Sequence, residues 1–278
     1  MQVVRTIPEL RKIVDQWRKD GLRVGLVPTM GGLHSGHLSL VQTVKSISDK
    51  TVATIFVNPA QFAPHEDFDT YPRDEKTDSD LLIGEGTDLL FAPDTEVMYP
   101  GGSDTTLNVG KIGTLLEGEF RPHFFSGVAT IVTKLFMQCL PDVAVFGEKD
   151  YQQLCVIRQF SRDLDIPVEI VGCPTLREPD GLAMSSRNRY LSPEQRQIAV
   201  SLSRALEIAA AKFSQGIEIE MCEMMAKQEL LNAGFDSVDY IAIRDAETLL
   251  SLTYASTSAR ILGAATLGKT RLIDNLSV

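Results

Sequence analysis

Short apolar runs alternate with longer amphipathic stretches over the first two-thirds of the chain. Between the runs, apolar side chains recur every three or four residues, as at Leu40, Val44 and Ile47. Apolar runs are typical of strands buried on both faces of a sheet, and the longer period is typical of helices that cover it. The pattern therefore predicts an α/β fold built on a doubly wound parallel sheet. The predicted strands lie at residues 22–27, 51–57, 88–91, 143–146 and 168–171.

The alternation stops at a segment rich in Pro, Gly and Arg, residues 173–189. Ser192 and Pro193 then provide an N-cap and a first-turn proline, so a helix is predicted to begin there. A second helical stretch and two strand-like runs follow at 217–233, 238–243 and 261–267. We expect two domains, residues 1–180 with the parallel sheet and residues 181–278 as a smaller C-terminal α+β lid domain.

The first predicted strand leads into a glycine-rich turn and a helix, a geometry that α/β proteins use to hold phosphate. Gly31, Gly32 and Gly36 carry no side chains, so their backbone N–H groups can approach an anion near the positive end of the helix dipole. His34 and His37 add two imidazole donors at the same turn. A structural role or a metal pair is the alternative, but no third ligand accompanies the two histidines. We favour a phosphate site.

Amide side chains follow the second predicted strand. Asn58 and Gln61 flank Pro59, and ligands of parallel sheets bind at the carboxyl ends of the strands. Amides donate and accept hydrogen bonds without charge, which suits recognition of hydroxyl and carboxylate groups. If this segment is considered by itself, the better interpretation is that Asn58 caps a turn and Gln61 is simply exposed.

A charged cluster follows the fourth predicted strand. Gly147 lets a ligand approach the backbone, and Lys149 supplies a point charge for phosphate. Asp150 can cap the next helix while it reaches a ribose hydroxyl, and Gln153 lies one turn further on the same side. A capped, solvated helix start is about as plausible for this segment alone.

Two loops complete the candidate site. Ser185, Ser186 and Arg187 can form an anion clamp that closes over a leaving pyrophosphate, with a polar linker as the alternative. Residues 63–80, rich in Pro and Asp, suit a mobile flap over the site.

Composition narrows the functional class. The formal net charge of −10 argues against sequence-independent binding of nucleic acid, which needs a basic face. No run is long enough to cross a membrane, and no apolar stretch follows the charged N-terminal residues as in a targeting signal. The cysteines are widely spaced among apolar neighbours, so we predict reduced core thiols and a cytoplasmic protein.

Six segments match one family in order and span nearly the whole chain. They are PTMGGLHSGH at 28–37, FVNPAQF at 56–62, YPR at 71–73, FGEKDYQQL at 146–154, MSSRNRYLS at 184–192 and RLIDN at 271–275. Together they resemble the pantoate–β-alanine ligase family, which belongs to the HIGH-motif nucleotidyltransferase-like group with a Rossmann-like sheet. The HxGH turn is shared with many nucleotidyltransferases, whereas NPxQF and GEKDYQQL are specific to this family.

The resemblance implies an enzyme of pantothenate and coenzyme A biosynthesis. It would activate (R)-pantoate with ATP as pantoyl adenylate, release pyrophosphate, and transfer the acyl group to β-alanine with release of AMP. Mg²⁺ accompanies ATP as the implied cofactor, and Asp78, shortly after YPR, is a candidate outer anchor for it. The implied assembly is a homodimer, and the implied partners are small molecules only.

The family's site roles carry over residue by residue. The implied catalytic residues are His34, His37, Lys149 and Arg187. The residues implied to hold pantoate and β-alanine are Gln61, Gln153 and Asn58. The residues implied to contact ATP are Met30, Gly31, Gly32, Leu33, His34, Ser35, Gly36, His37, Gly147, Glu148, Lys149, Asp150, Leu176, Met184, Ser185, Ser186 and Arg187. The family usually describes His37 as a proton donor, but we favour electrostatic stabilisation because adenylation of a carboxylate has no obvious proton to donate.

One position departs from the family pattern, which usually reads R-P-x-H-F-x-G-V. Here Phe124 occupies the place of the usual histidine, and His123 precedes it. Either His123 reaches the same space, or it is a solvent-facing substitute.

Other functions are weighed against this one. A nucleotidyltransferase that stops at an activated nucleotide fits the HxGH turn equally well, but it does not account for NPxQF or GEKDYQQL. For a nucleotide-binding regulator without turnover, we would expect loss of His37, Lys149 or the MSSR loop, and all are present. The acidic charge and the lack of sequence for an anticodon-binding domain disfavour a role in charging tRNA.

Overall fold

The computed structural model describes residues 1–63, 66–102, 104–253 and 258–278. Within them a six-stranded sheet has the order β1-β4-β3-β2-β5-β6, and every neighbouring pair is parallel. The predicted doubly wound parallel sheet is confirmed. Its strands are β1 Gln2–Val4, β2 Val24–Thr29, β3 Lys50–Ile55, β4 Leu89–Phe91, β5 Val143–Gly147 and β6 Glu169–Cys173.

The strand order places a ligand crevice at β2 and β5. The chain runs outward from β2 to β3, later adds β4, and then crosses to β5 on the other side of β2. Such a reversal leaves a crevice at the carboxyl ends of the two central strands, where open α/β sheets bind ligands. The HxGH turn follows β2 and the GEKD segment follows β5, so the topology itself brings these two motifs together.

Helices cover both faces of this sheet. Leu26 and Val27 are both fully buried, yet they belong to opposite hydrophobic clusters because side chains alternate along a strand. One cluster includes residues of α1, α6 and α7, and the other includes residues of α2 and α3. The helices that cover the sheet are α1 Ile7–Lys19, α2 Ser35–Lys45, α3 Glu75–Gly84, α6 Phe124–Cys139 and α7 Tyr151–Asp163, and the short helices between them are α4 Thr95–Met98 and α5 Glu117–Phe120.

The C-terminal part is a smaller α+β layer. Its antiparallel sheet has the order β7-β8-β9, and its helices enclose a separate cluster around Leu202, Leu206 and Leu230. The expectation of a smaller α+β part is confirmed. Its elements are α8 Pro193–Ala199, α9 Ser201–Ser214, α10 Ile219–Ala233, β7 Ser237–Asp245, β8 Ala259–Leu267 and β9 Thr270–Ser277.

Several elements differ from the sequence expectation. The helix that begins at Pro193 has the predicted Ser192 cap but ends at Ala199, and α9 restarts at Ser201. Strands β1 and β9 and helix α1 were not predicted. Helix α1 does carry a readable signal, a capping box in which Thr6 and Glu9 bond reciprocally.

The two sheets meet through the terminal RLIDN segment. Asp274, almost fully buried, accepts two hydrogen bonds from Arg177 at 2.6 and 2.9 Å. The Asn275 amide donates to the carbonyls of Glu148 and Lys149, each at 2.9 Å. The motif therefore ties β9 to the loop that follows β5. The division into residues 1–180 and 181–278 stays a prediction.

Gly127 supports the turn that carries Gln61. A Cβ at Gly127 would lie 2.2 Å from the carbonyl oxygen of Ala60, so α6 approaches the Pro59–Gln61 turn more closely than any side chain allows. We expect Gly127→Ala to lower the free energy of unfolding by about 1–3 kcal/mol in urea denaturation, because the helix or the turn must shift. The control is Gly84→Ala, where a Cβ meets nothing within 4 Å. Equal stability of the two variants would contradict the close approach.

Candidate active site

A cavity of about 1350 Å³ opens at the carboxyl ends of β2 and β5 and extends to β9. It brings together motifs that are far apart in sequence. The predicted residues that line it are Met30, His34, Gly36, His37, Gln61, Gly147, Lys149, Asp150, Gln153, Leu176, Met184, Ser185, Ser186 and Arg187.

The two histidines of the turn are held by backbone hydrogen bonds. The Nδ1 atom of His34 accepts from the N–H of Gly36 at 3.1 Å, and Nδ1 of His37 accepts from the N–H of His34 at 3.3 Å. The ring centroids are 4.2 Å apart. Because both Nδ1 atoms accept, each neutral ring carries its proton on Nε2, which makes Nε2 a donor.

Burial keeps both imidazoles neutral. It lowers the pKa of His34 to about 4, with a further lowering from the Lys149 charge. Burial likewise lowers the pKa of His37 to about 3, helped by His34 and Lys149. In the absence of a bound anion, the turn therefore offers two neutral N–H donors at pH 7 rather than two cations.

The glycine turn itself does not face the cavity. The N–H groups of Gly32 and Leu33 donate to the two carboxylate oxygens of Asp78, each at 2.8 Å. The N–H of Gly31 donates to Thr29 Oγ1 at 3.2 Å. The N–H groups of Gly31, Gly32 and Leu33 are therefore already paired in this structure, and their contact with an anion stays a prediction. Ser35, which is exposed, also lies outside the lining.

Asp78 has a structural task instead of a metal-binding one. It is 3% exposed, and both of its oxygens accept hydrogen bonds from the turn. The interpretation of Asp78 as a magnesium anchor does not fit this environment, because no oxygen faces the cavity. Over the described ranges, no group of three or more His, Cys, Asp and Glu side chains is arranged to hold a metal ion.

Lys149 presents a weakly paired charge to the cavity. Its Nζ lies 3.9 Å from Asp150 Oδ1, too long for a strong hydrogen bond. Glu148, by contrast, turns towards Arg260, with a 3.0 Å ion pair, and does not line the cavity. Lys149 and Asp150 line the cavity, and an ATP contact through any of these three residues stays a prediction.

The serine–arginine loop lines the same cavity as the histidines. Ser185 Oγ accepts from the Arg187 N–H at 3.3 Å, and Tyr71, which also lines the cavity, is buried. Arg187 donates from Nε and Nη2 to Asp67 at 3.1 and 2.8 Å. The predicted flap thus contacts this segment through Asp67 and through the carbonyl of Thr70, which accepts from the Tyr190 hydroxyl. Residues 64 and 65 of the flap lie outside the described residues.

The amide residues divide into one that lines the cavity and one that supports it. Asn58 is fully buried outside the lining, and its amide donates to Gln61 Oε1 at 2.9 Å. Its Oδ1 accepts from the Tyr99 hydroxyl at 2.7 Å. Asn58 therefore orients Gln61 in this structure, and a direct contact of Asn58 with substrate stays a prediction.

Two neighbouring glutamines on α7 also have different tasks. Gln152 donates to the carbonyls of Ile112 and Leu115 at 2.9 and 2.7 Å, and it accepts from the N–H of Glu117. Gln153 lines the cavity, and no hydrogen bond of its side chain occurs among the described residues. Of the pair, Gln153 is the one available to a ligand.

The lining of the cavity shows which residue takes the place of the family's usual histidine at position 124. Phe124 lines it and packs under the Arg121 guanidinium, 3.8 Å from the ring centroid. His123 is exposed and does not line the cavity, so it does not replace the missing imidazole.

Sequence reasoning missed a charged wall that joins α5 to the second sheet. Glu117 accepts from Arg271 Nη1 at 2.6 Å and from the Tyr240 hydroxyl at 3.4 Å. Burial, with the Glu117 charge, raises the pKa of Tyr240, which keeps its hydroxyl protonated. Leu116 before it has a φ of 45°, a strained value for a branched side chain. The RLIDN match was the one sequence signal for this wall.

The depressed pKa of His37 predicts a pH-dependent stability. Below pH 6.5 the unfolded chain protonates His37 while the folded chain keeps it neutral down to about pH 3. The unfolded state then binds more protons, so stability falls as the pH falls through this window. In urea denaturation between pH 7.5 and 4.5, we expect His37→Gln to weaken this fall by up to about 1 kcal/mol per pH unit. His123→Gln is the matched control, and curves of equal slope for wild type and His37→Gln would refute the neutral state.

Comparison with known proteins agrees over the full length. The family model described as Pantoate-beta-alanine ligase matches residues 2–277. The pantothenate synthetase of Paramagnetospirillum magneticum is 57% identical, covering 100% of this chain and 98% of the relative. The pantothenate synthetase of Caulobacter vibrioides is 55% identical, covering 99% of this chain and 98% of the relative.

Solved structures give the same result. Pantothenate synthetase from Thermus thermophilus superposes with a TM-score of 0.93 at 47% identity, covering 99% of both chains. Pantoate-beta-alanine ligase from Francisella tularensis, complexed with beta-gamma ATP and beta-alanine, has a TM-score of 0.85 at 34% identity, with 100% and 97% coverage. No helix in the described part of the chain is long and apolar enough to cross a membrane. With a matching family model, sequence relatives and fold, this chain belongs to the pantoate-beta-alanine ligase family of enzymes.

Proposed function

We propose that this chain joins (R)-pantoate to β-alanine in two steps, with a pantoyl adenylate between them and with AMP and pyrophosphate as the other products. The observation that carries the proposal is the set of donors that line one cavity. The two imidazoles, Lys149 and Arg187 line it together with the amides of Gln61 and Gln153. A triphosphate and a hydroxy acid need these two kinds of surface in one place.

The relatives support the same substrates. The Francisella tularensis enzyme was crystallised with an ATP analogue and β-alanine, and its fold is that of this chain. We therefore propose ATP, (R)-pantoate and β-alanine as the small-molecule partners, with a place in pantothenate biosynthesis.

In the first step, a carboxylate oxygen of pantoate attacks the α-phosphorus of ATP, and the bond to the β-phosphate oxygen breaks. Negative charge accumulates on the leaving pyrophosphate. Lys149 and Arg187 neutralise that charge, and the Nε2–H groups of His34 and His37 donate hydrogen bonds to it. Because both imidazoles are neutral at pH 7 before ATP binds, we assign them hydrogen-bond stabilisation in place of proton donation.

In the second step, the β-alanine amine attacks the acyl carbon of the adenylate, AMP leaves, and the amine nitrogen loses a proton. Gln61 and Gln153 hold the acyl group, and Asn58 fixes the Gln61 side chain from behind. The gain here comes mainly from positioning two reactants in one enclosed space.

We propose that Mg²⁺ enters as part of the MgATP substrate. Magnesium usually binds through one or two carboxylates together with substrate phosphates. Asp150 lines the cavity next to Lys149 and is 47% exposed, so it is the carboxylate best placed for that role. No resident metal site is part of the proposal.

The assembly, location and domain division remain proposals as well. We propose a homodimer by analogy with the family. The four cysteines are buried and unpaired, which fits a reducing, cytoplasmic setting. Residues 1–180 and 181–278 are proposed as separate domains.

The first step is tested by pantoate-dependent exchange of labelled pyrophosphate into ATP. We expect Lys149→Ala to lower the exchange rate by about a hundredfold or more, because a fixed cation at the leaving group is lost. Lys76→Ala is the matched control, since Lys76 is a lysine with an 86% exposed side chain. Near-normal exchange in Lys149→Ala would refute the assignment.

The overall reaction is tested by AMP release with and without β-alanine. Stoichiometric AMP and amide, formed only when pantoate and β-alanine are both present, would support the ligase. Accumulation of an activated nucleotide without amide would favour a nucleotidyltransferase, and ATP binding without turnover would favour a regulator.

A further inference from the structure

Two consecutive carboxylates of the segment that follows Gln61 each hold one arginine of the cavity. Glu66 accepts from Nε and Nη2 of Arg121, both at 2.7 Å. Asp67 accepts from Nε and Nη2 of Arg187 at 3.1 and 2.8 Å. The two pairs share one geometry, in which the carboxylate lies along the Nε edge of the guanidinium.

These pairs are shielded from solvent. The side chains of Glu66 and Arg121 are each 17% exposed, and those of Asp67 and Arg187 are 22% and 33% exposed. Exposed ion pairs contribute little because water screens them. Partly buried bidentate pairs fix both the position and the plane of the guanidinium.

Nη1 is the least engaged nitrogen of each arginine. A guanidinium has five N–H donors. Among the hydrogen bonds of the described residues, none uses Nη1 of Arg187. Nη1 of Arg121 has one long contact, 3.4 Å to Glu117 Oε1. The carboxylates thus hold each arginine through Nε and Nη2 and leave Nη1 as the donor for an anionic ligand.

The two arginines serve different ends of the proposed reaction. Arg187 belongs to the loop with Ser185 and Ser186, which lines the cavity. Arg121 donates from Nη2 to the carbonyl oxygen of Gln61 at 3.0 Å, and Phe124 supports its plane from below. Arg121 therefore lies beside the residue proposed to hold the acyl group.

Arg121 is also the better cation for the carboxylate of an amino-acid acceptor. The other arginine of that wall, Arg271, donates from Nε to Asp239 and from Nη1 to Glu117, each at 2.6 Å. Its Nη2 is buried without a partner and is closed to solvent. Nη1 of Arg121 has only the long 3.4 Å contact, whereas Nε and Nη1 of Arg271 are held by short bonds and its Nη2 is buried.

We propose that Glu66 and Asp67 are positioning residues that divide the two steps between them. Asp67 aims Arg187 at the phosphates of ATP, and Glu66 aims Arg121 at the carboxylate of the amino-acid acceptor. This inference rests on the proposed function. In this proposal, two adjacent acidic residues orient the two arginines, one for ATP and one for the amino-acid acceptor.

The test compares Glu66→Gln and Asp67→Asn, which keep the side-chain size and remove the charge. Two rates are measured for each variant: pantoate-dependent pyrophosphate exchange, and amide formation as a function of β-alanine concentration. We expect Asp67→Asn to slow exchange by about tenfold to a hundredfold, because a misaligned Arg187 no longer meets the leaving group. For Glu66→Gln, we expect KM for β-alanine to rise by about tenfold, well beyond any loss in exchange.

Asp69→Asn is the matched control, because Asp69 is exposed in the same segment. A merely structural segment would lower both rates together in Glu66→Gln and Asp67→Asn, and that outcome would overturn the proposal. So would wild-type values of both rates in either variant. The proposal is supported if Asp67→Asn mainly slows pyrophosphate exchange and Glu66→Gln mainly raises KM for β-alanine.

A double-mutant cycle gives an independent readout. Arg187→Lys keeps the charge and loses the bidentate edge. If Asp67 acts through Arg187, Asp67→Asn slows exchange much less in the Arg187→Lys background than in the wild type. Additive losses would overturn the positioning role. Should either amide variant fail to fold, Arg121→Lys and Arg187→Lys must show the same split between the two rates.

The wild-type enzyme separates this inference from the proposed function. Absence of pantoate-dependent exchange in the wild type would refute the proposed function itself. Normal wild-type exchange and amide formation, with no split between the variants, would refute only the division of labour between Glu66 and Asp67.

Discussion

The carboxylate of Asp78 holds the turn on which the candidate site depends. It enters from α3 and accepts the N–H groups of Gly32 and Leu33, in a place that is 3% exposed. Hydrogen bonds to a charged acceptor contribute about 1.5–3 kcal/mol each. With Gly31 and Gly32 at positive φ, this contact folds the turn back on α3 and leaves His34 to cap α2. The glycines thus shape the turn, and the histidines line the cavity.

A second constraint concerns where charge is placed. The chain is acidic overall, and three of the cations that line the cavity are held in different ways. Lys149 has only a long contact to Asp150, whereas Arg187 and Arg121 are aimed by bidentate carboxylates. The buried imidazoles add donors without adding charge. A tetra-anionic nucleotide then meets fixed charges and dipoles, which need little reorganisation during reaction.

The smaller sheet completes the site from the other side. Asn275 bonds the carbonyls of Glu148 and Lys149, and its Oδ1 accepts from Arg260 Nε at 2.7 Å. Arg260 in turn pairs with Glu148 and stacks on Tyr151, 3.8 Å from the ring centroid. These contacts hold the loop after β5, so that the position of Lys149 depends on the C-terminal sheet as well as on β5.

The order of apolar runs and helical periods was sufficient to predict the parallel sheet, because strands buried on both faces leave a pattern that local sequence carries. The sites after β2 and β5 were predictable for the same reason, since parallel strands present their carboxyl ends at one edge. Strand β1 was not predictable, because its register depends on Leu89–Phe91, a partner far away in sequence. Strand β9 was missed for a different reason, because it pairs with the adjacent β8 across the turn at Gly268 and Lys269, a local hairpin that the sequence analysis did not identify.

The individual site residues show the same division. By itself the sequence determined that histidines, amides, a lysine and an arginine follow particular strands, and so which chemistry the cavity holds. Only the tertiary structure showed that Gln152 is bonded to Ile112, Leu115 and Glu117, and that Asn58 and Asp78 have supporting tasks. Hydrogen bonds with distant partners use up one polar group and leave the next one free. Which polar group remains unbonded can be determined only when the positions of all its possible partners are known, and local sequence does not specify those positions.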